Sequence, residues 1–163
     1  MTLAVRFLSL AAAFALICAV AGANTGRSDD NKVGFDVFGG FPFSPPAYDP
    51  DKPNAQAGPQ IDEQLPAAVR KLNGKKATIT GFMLPVRTEG GRVVEFLLLR
   101  DRTMCCFGEQ PQMNEWVVVR MAKPDTYLPD VPKSFEGTLR VGAIEENGYL
   151  SGIYLLENAS AVK

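Results

Sequence analysis

The chain has 163 residues, enough for one domain with its own core, and 46% apolar and 21% charged residues are the proportions of a globular protein. Its 17 basic and 18 acidic residues leave a formal net charge of −1, without the basic excess of a nucleic-acid binder. It has no histidine, which removes the commonest general base, the commonest zinc ligand and any Ser-His or Cys-His nucleophile pair.

Met1–Arg6 is short and basic, and Phe7–Gly22 (FLSLAAAFALICAVAG) is apolar. Ala21-Gly22-Ala23 is an A-x-A-type cleavage site before polar Asn24. Residues 1–23 therefore read as a secretory signal peptide cut between Ala23 and Asn24. The apolar run falls just short of the roughly 20 residues of a membrane span, which disfavours an uncleaved anchor. Ala15-Leu16-Ile17 lacks the small residue expected before a lipidated cysteine at Cys18. The cleaved protein is expected to be periplasmic or secreted, without stable membrane insertion.

Residues 24–60 read as a linker rich in Pro, Gly, Asp and Asn. Phe35, Phe38, Phe41, Phe43 and Tyr48 stand out in it. Exposed aromatics are costly, so this segment reads as a strap that covers an open edge of its own domain, in preference to one that docks on a partner. The domain itself is expected over 61–163. Ile61, Leu65, Val69 and Leu72 have helical spacing. Pro66 is tolerated only near a helix start, so one short helix is predicted at about Pro66–Leu72, ended by Asn73-Gly74 and plugging one end of the fold.

Five strands follow. Lys76–Val86 is the first, and Gly81 within it predicts a bulge or tight bend. Thr88–Gly91 is hairpin chemistry, then Arg92–Arg100 is the second strand. Glu115–Met121 is the third and Ser134–Ile144 the fourth, its alternation placing Phe135, Gly137, Leu139, Val141 and Ala143 on one face. Glu146-Asn147-Gly148 is a strong hairpin signal before Tyr149–Leu156, the fifth. Strands two and three are almost unbroken apolar runs, so both their faces should be covered. Five strands with a bent first strand predict a mainly β fold, a small five-stranded OB-like barrel with one short helix.

Between the second and third strands lies Met104–Trp116 (MCCFGEQPQMNEW). Adjacent cysteines in an exported protein tend to be oxidised or metal-bound. Cys105 and Cys106 could close a strained, redox-responsive vicinal disulfide. With Met104 and Met113 they could instead offer soft sulfur ligands to Cu(I), while the missing imidazole disfavours zinc. A structural pair that stiffens a turn is the third reading. Phe107 and Trp116 read as core residues, Asn114 as a cap on the loop's own backbone, and Glu109 and Glu115 as solvated carboxylates.

The run from Leu65 to Met121 resembles a bacterial family of exported proteins, the domain-of-unknown-function 3299 family. The matching features are Leu72-Asn73-Gly74-Lys75-Lys76, then Gly81-Phe82-Met83-Leu84-Pro85, then Glu95-Phe96-Leu97-Leu98, a cysteine-bearing loop, and Asn114 ahead of a valine-rich strand. The resemblance implies an OB-like barrel outside the cytoplasm with no established enzyme activity. The loop departs from the family pattern of one cysteine, a histidine and a proline run, so no role built on that histidine transfers. The expected function is a non-enzymatic binding or accessory protein that presents the Met104–Trp116 loop to another envelope protein or a soft metal. A thiol redox protein and a purely structural envelope module are the alternatives. No nucleic-acid partner, no catalytic residue and no cofactor beyond Cu(I) is expected.

Overall fold

The computed structural model describes residues 31–47, 57–102, 111–147 and 149–162. The expected leader with Ala23 and Asn24, Tyr48, and residues 103–110 with Met104, Cys105, Cys106, Phe107 and Glu109 lie outside the described residues.

The strands are β1 (Lys76–Glu89), β2 (Arg92–Leu99), β3 (Trp116–Asp125), β4 (Lys133–Glu146) and β5 (Tyr149–Ala161). They form a closed barrel in the order β1-β2-β3-β5-β4, and β4 pairs back with β1. The β3–β5 pair is parallel and the others are antiparallel. This is the expected OB-like barrel. The β1–β2 hairpin turns on Gly90 and Gly91 at φ 56° and 75°, and the β4–β5 hairpin turns through Asn147 at φ 51°. Such left-handed residues give a turn whose twist matches its strands.

β1 closes the barrel by changing partner. Lys76–Gly81 pairs with β4, and Phe82–Glu89 pairs with β2. Gly81 sits at the change, where a Cβ would lie 2.4 Å from the Leu99 carbonyl oxygen. Only glycine lets the two backbones approach this closely. The expected bend is therefore a point of strand exchange.

β5 runs five residues past its expected end at Leu156. Asn158, at φ 51°, and a register shift between Glu136 and Thr138 keep Ala159 buried while the ladder continues to Ala161.

The barrel is filled by Ile79, Met83, Phe96, Leu98, Val117, Val119, Phe135, Leu139 and Leu156. The rings of Phe96 and Phe135 lie 4.8 Å apart. Three short helices surround it: α1 (Phe35–Phe38), α2 (Ala57–Gln64) and α3 (Ala67–Arg70). The helix α2 was not expected. Pro66 disfavours helical backbone at Leu65 and then starts α3, so one periodic stretch folds as two helices. Ile61, Leu65 and Val69 still share the core.

The aromatic segment docks on its own barrel. Asn31 O accepts from Thr78 N at 2.8 Å, and Val33 N donates to Thr78 O at 3.0 Å, so the strap covers the side of β1 that β2 does not reach. Phe35, Phe38 and Phe43 join the core, and Phe41 packs against it. Phe38 lies 4.6 Å from the Tyr154 ring, and the Tyr154 hydroxyl donates to Phe38 O at 3.1 Å. Burial raises the Tyr154 pKa well above that of an ordinary phenol.

Among the described residues, no helix is long and apolar enough to cross a membrane.

Candidate functional site

Leu99 and Trp116 face each other in the β2–β3 ladder, so the connection between them has adjacent feet. On the first foot Arg100 pairs with Asp101 at 2.9 Å, and Arg102 reaches Asp130 of the β3–β4 loop at 2.7 Å. On the second foot Met113–Glu115 forms a 3₁₀ turn. Gln112 and Glu115 cap it reciprocally, Gln112 N donating to Glu115 Oε2 at 2.8 Å. Glu115 is thus a capping residue. Asn114 does not cap its own loop: its Nδ2 donates to Phe41 O at 3.0 Å and pins the strap to the foot. A sequence window sees only local partners, and this one is 73 residues away.

Of the four sulfur residues only Met113 is placed, half-buried against the core cluster. Met104, Cys105 and Cys106 lie outside the described residues. Among the described residues there is no group of three or more His, Cys, Asp and Glu side chains suited to a metal ion.

Trp116 is not a core residue. Val117 and Val119 fill the barrel, so the residues alternating with them, Trp116, Val118 and Arg120, point outward. By the same alternation Phe96 and Leu98 point inward, and Glu95, Leu97 and Leu99 outward. Strand register then lines up three outward rungs. Nearest the loop feet, Phe82 faces Leu99, which faces Trp116. Next, Leu84 faces Leu97, then Val118, then Leu155. Farthest from the feet, Arg87 faces Glu95, which faces Arg120.

The first two rungs are wholly apolar, although they are on the outside of the barrel. Leu99, Val118 and Leu155 are nevertheless buried, while Leu84 is 41% and nearby Val86 62% exposed. Gly152 leaves room for this layer, since a Cβ there would meet Val118 Cγ2 at 3.1 Å and Trp116 Nε1 at 3.4 Å.

The third rung is a charged border. Glu95 is buried, with Arg87 Nε at 3.5 Å and Arg120 Nε at 3.4 Å from its carboxylate. Arg87 also pairs with Glu89, and Arg120 with Glu146. Register shifts at Arg87 and between Val93 and Glu95 set this alignment. At the end of β3, Asp125 pairs with Lys133. Partial burial raises the Asp125 pKa, but the Lys133 hydrogen bond, the Thr126 N–H and nearby Arg92 outweigh it and hold the carboxyl below its usual value.

The sequence reading missed Phe82, Leu84, Val86, Arg87, Glu95 and Arg120 as site residues. The signal was present in the continuous apolar letters of β2 and β3, which require cover on both faces. An apolar wall edged by neutralised charges suits burial of a partner's apolar surface.

The fold and this wall define an OB-like barrel with a long, braced β2–β3 connection. The chain belongs to the family described as "Protein of unknown function (DUF3299)", whose sequence profile matches residues 48–162. It is similar to the crystal structure of a DUF3299 family protein from Pseudomonas aeruginosa PAO1, with 23% identity over 81% of this chain and 95% of that one, at a TM-score of 0.52. That likeness is one of fold. No curated protein matches the chain.

Proposed function

We propose that this chain is an exported, non-enzymatic binding or accessory protein of the cell envelope, and that it docks another envelope protein on the outer wall of β1, β2 and β3 beside the Met104–Trp116 loop. The carrying observation is the pair of apolar rungs on the outside of the barrel, with Leu84 and Val86 exposed at their end. Leu99, Val118 and Leu155 are already buried, so the apolar surface left open for a partner is the Leu84–Val86 end of the face. Export rests on the basic start, apolar run and Ala21-Gly22-Ala23 site of the sequence.

The test has two parts. Cell fractionation with intact-mass measurement should find the chain outside the cytoplasm, beginning at Asn24; a cytoplasmic chain that keeps Met1 would sink the export reading. A Leu84→Asp/Val86→Asp variant should keep its melting temperature and lose the partner that co-purifies with the natural chain under native conditions. A natural chain that purifies as a bare monomer, or a variant that keeps the partner, overturns the docking wall. The same mass measurement, without reductant or chelator, tests the sulfur readings. A mass two hydrogens short favours a Cys105–Cys106 disulfide, and metal mass lost on acidification favours a Cu(I) site at Met104, Cys105, Cys106 and Met113.

A further inference from the structure

Away from the docking wall, the turn between α3 and β1 gathers positive charge. Arg70, Lys71, Lys75 and Lys76 are all exposed there. The fold adds a fifth cation that the linear sequence does not place nearby. Gly74 N donates to Leu139 O at 2.7 Å, Leu139 N to Lys75 O at 2.8 Å, and Val141 N to Asn73 Oδ1 at 3.0 Å. Exposed Arg140 lies between these two anchoring residues, directly beside the turn.

Ion pairing here is sparse, although the Asp62 carboxylate lies over Gly142, two residues from Arg140. Lys76 Nζ has Glu136 at 3.8 Å, and Arg70 Nη1 donates to a neutral group, the Asp62 carbonyl, at 3.1 Å. Among the described residues, no carboxylate lies within 4.0 Å of the cationic nitrogens of Arg70, Lys71, Lys75 or Arg140. Elsewhere on the barrel Arg87, Arg100, Arg102, Arg120 and Lys133 are each ion-paired. Among the described residues, this turn thus gathers four cations outside any ion pair, while Arg92 and Lys123 stand exposed elsewhere.

We infer that this turn is a contact surface for the anionic phospholipid headgroups of a bilayer. Clustered lysines and arginines near a membrane surface are drawn to acidic lipids without inserting, and the attraction decays within a Debye length. Apolar side chains for insertion are lacking on the turn itself, where Ala67 and Ala68 are the exposed apolar residues of α3. The patch also lies where the chain enters the fold. Asn31 O accepts from Thr78 N, two residues beyond Lys76. The contact uses other residues than the docking wall and stands or falls separately from it.

The test is flotation of the purified chain with vesicles of equal phosphatidylglycerol and phosphatidylcholine, against vesicles of phosphatidylcholine alone. Binding is expected only to the anionic vesicles at about 50 mM salt, and it should disappear at about 0.5 M. Lys71→Glu/Lys75→Glu should weaken the partition by about tenfold or more. Arg92→Glu/Lys123→Glu, which reverses as many exposed charges elsewhere, should leave it within about twofold, with both variants melting like the natural chain. The inference is overturned by no flotation, by salt-resistant flotation or flotation onto neutral vesicles, or by equal losses in the two variants. Binding to DNA or polyglutamate in place of vesicles overturns it as well.

Discussion

The two halves of β1 meet the same problem, surface charge on a small barrel, in opposite ways. Beyond Gly81, the strand carries Arg87 into a network in which each cation has a carboxylate and Glu95 is buried between two arginines. Before Gly81, the strand starts in a turn whose cations stand mostly unpaired beside Arg140. A charge that serves the fold is paired and desolvated, where losing one partner strands the other. A charge held in solvent contributes little to stability and remains available to something outside the molecule. The difference separates residues that hold the barrel from residues that face its surroundings.

Gly81→Ala tests the joint between the halves and has the largest expected effect. Its Cβ falls on the Leu99 carbonyl oxygen, so β1 must part from β2 or β4, at a cost of about 3 kcal/mol in denaturant unfolding. Glu95→Ala should come next, at about 1.5 kcal/mol, because Arg87 and Arg120 lose the buried carboxylate they share and keep only their exposed partners Glu89 and Glu146. If Glu95→Ala unfolds no more readily than the natural chain, the paired half is not structural and the contrast fails. Asn114→Ala should cost about 1 kcal/mol and speed proteolysis within the strap, since it removes the tie to Phe41.

Asp125→Asn sharpens the contrast through pH. The folded carboxyl has a lowered pKa, so its pairing with Lys133 stabilises above the unfolded value near 3.9 and is lost as pH falls through the lower folded value. The variant should melt slightly lower at pH 7 and lose less on acidification below about pH 4. Smallest of all, Lys71→Glu/Lys75→Glu should shift unfolding by no more than about 0.5 kcal/mol in either direction, since no fold contact depends on either charge.

How far the sequence reading reached follows the range of the interactions. Period-two alternation and turn residues are local, so the five strands, both hairpins and the need for Gly81 were legible. The strap's docking followed from the cost of exposed aromatics, but its partners did not, because Tyr154 is 116 residues from Phe38. The second helix was hidden by Pro66, which reads as a single start but also closes the helix before it. The outward rungs and the Glu95 network needed strand register, which bulges at Arg87 and Glu95 set and which no residue type announces. The cations of Arg70–Lys76 went unremarked in the sequence, and Arg140 joins them only through backbone bonds formed on folding.

The strap also sets an order of events. It is the first described part of the chain to be synthesised, and its seat is built from Thr78, Asn114 and Tyr154, the last of these on the final strand. Contacts so distant along the chain are slow to form and stabilise nothing until the intervening loop is closed. The barrel therefore cannot be sealed while the ribosome still holds β5. Until the last strand is available, Phe38 lacks the Tyr154 ring and hydroxyl that complete its seat.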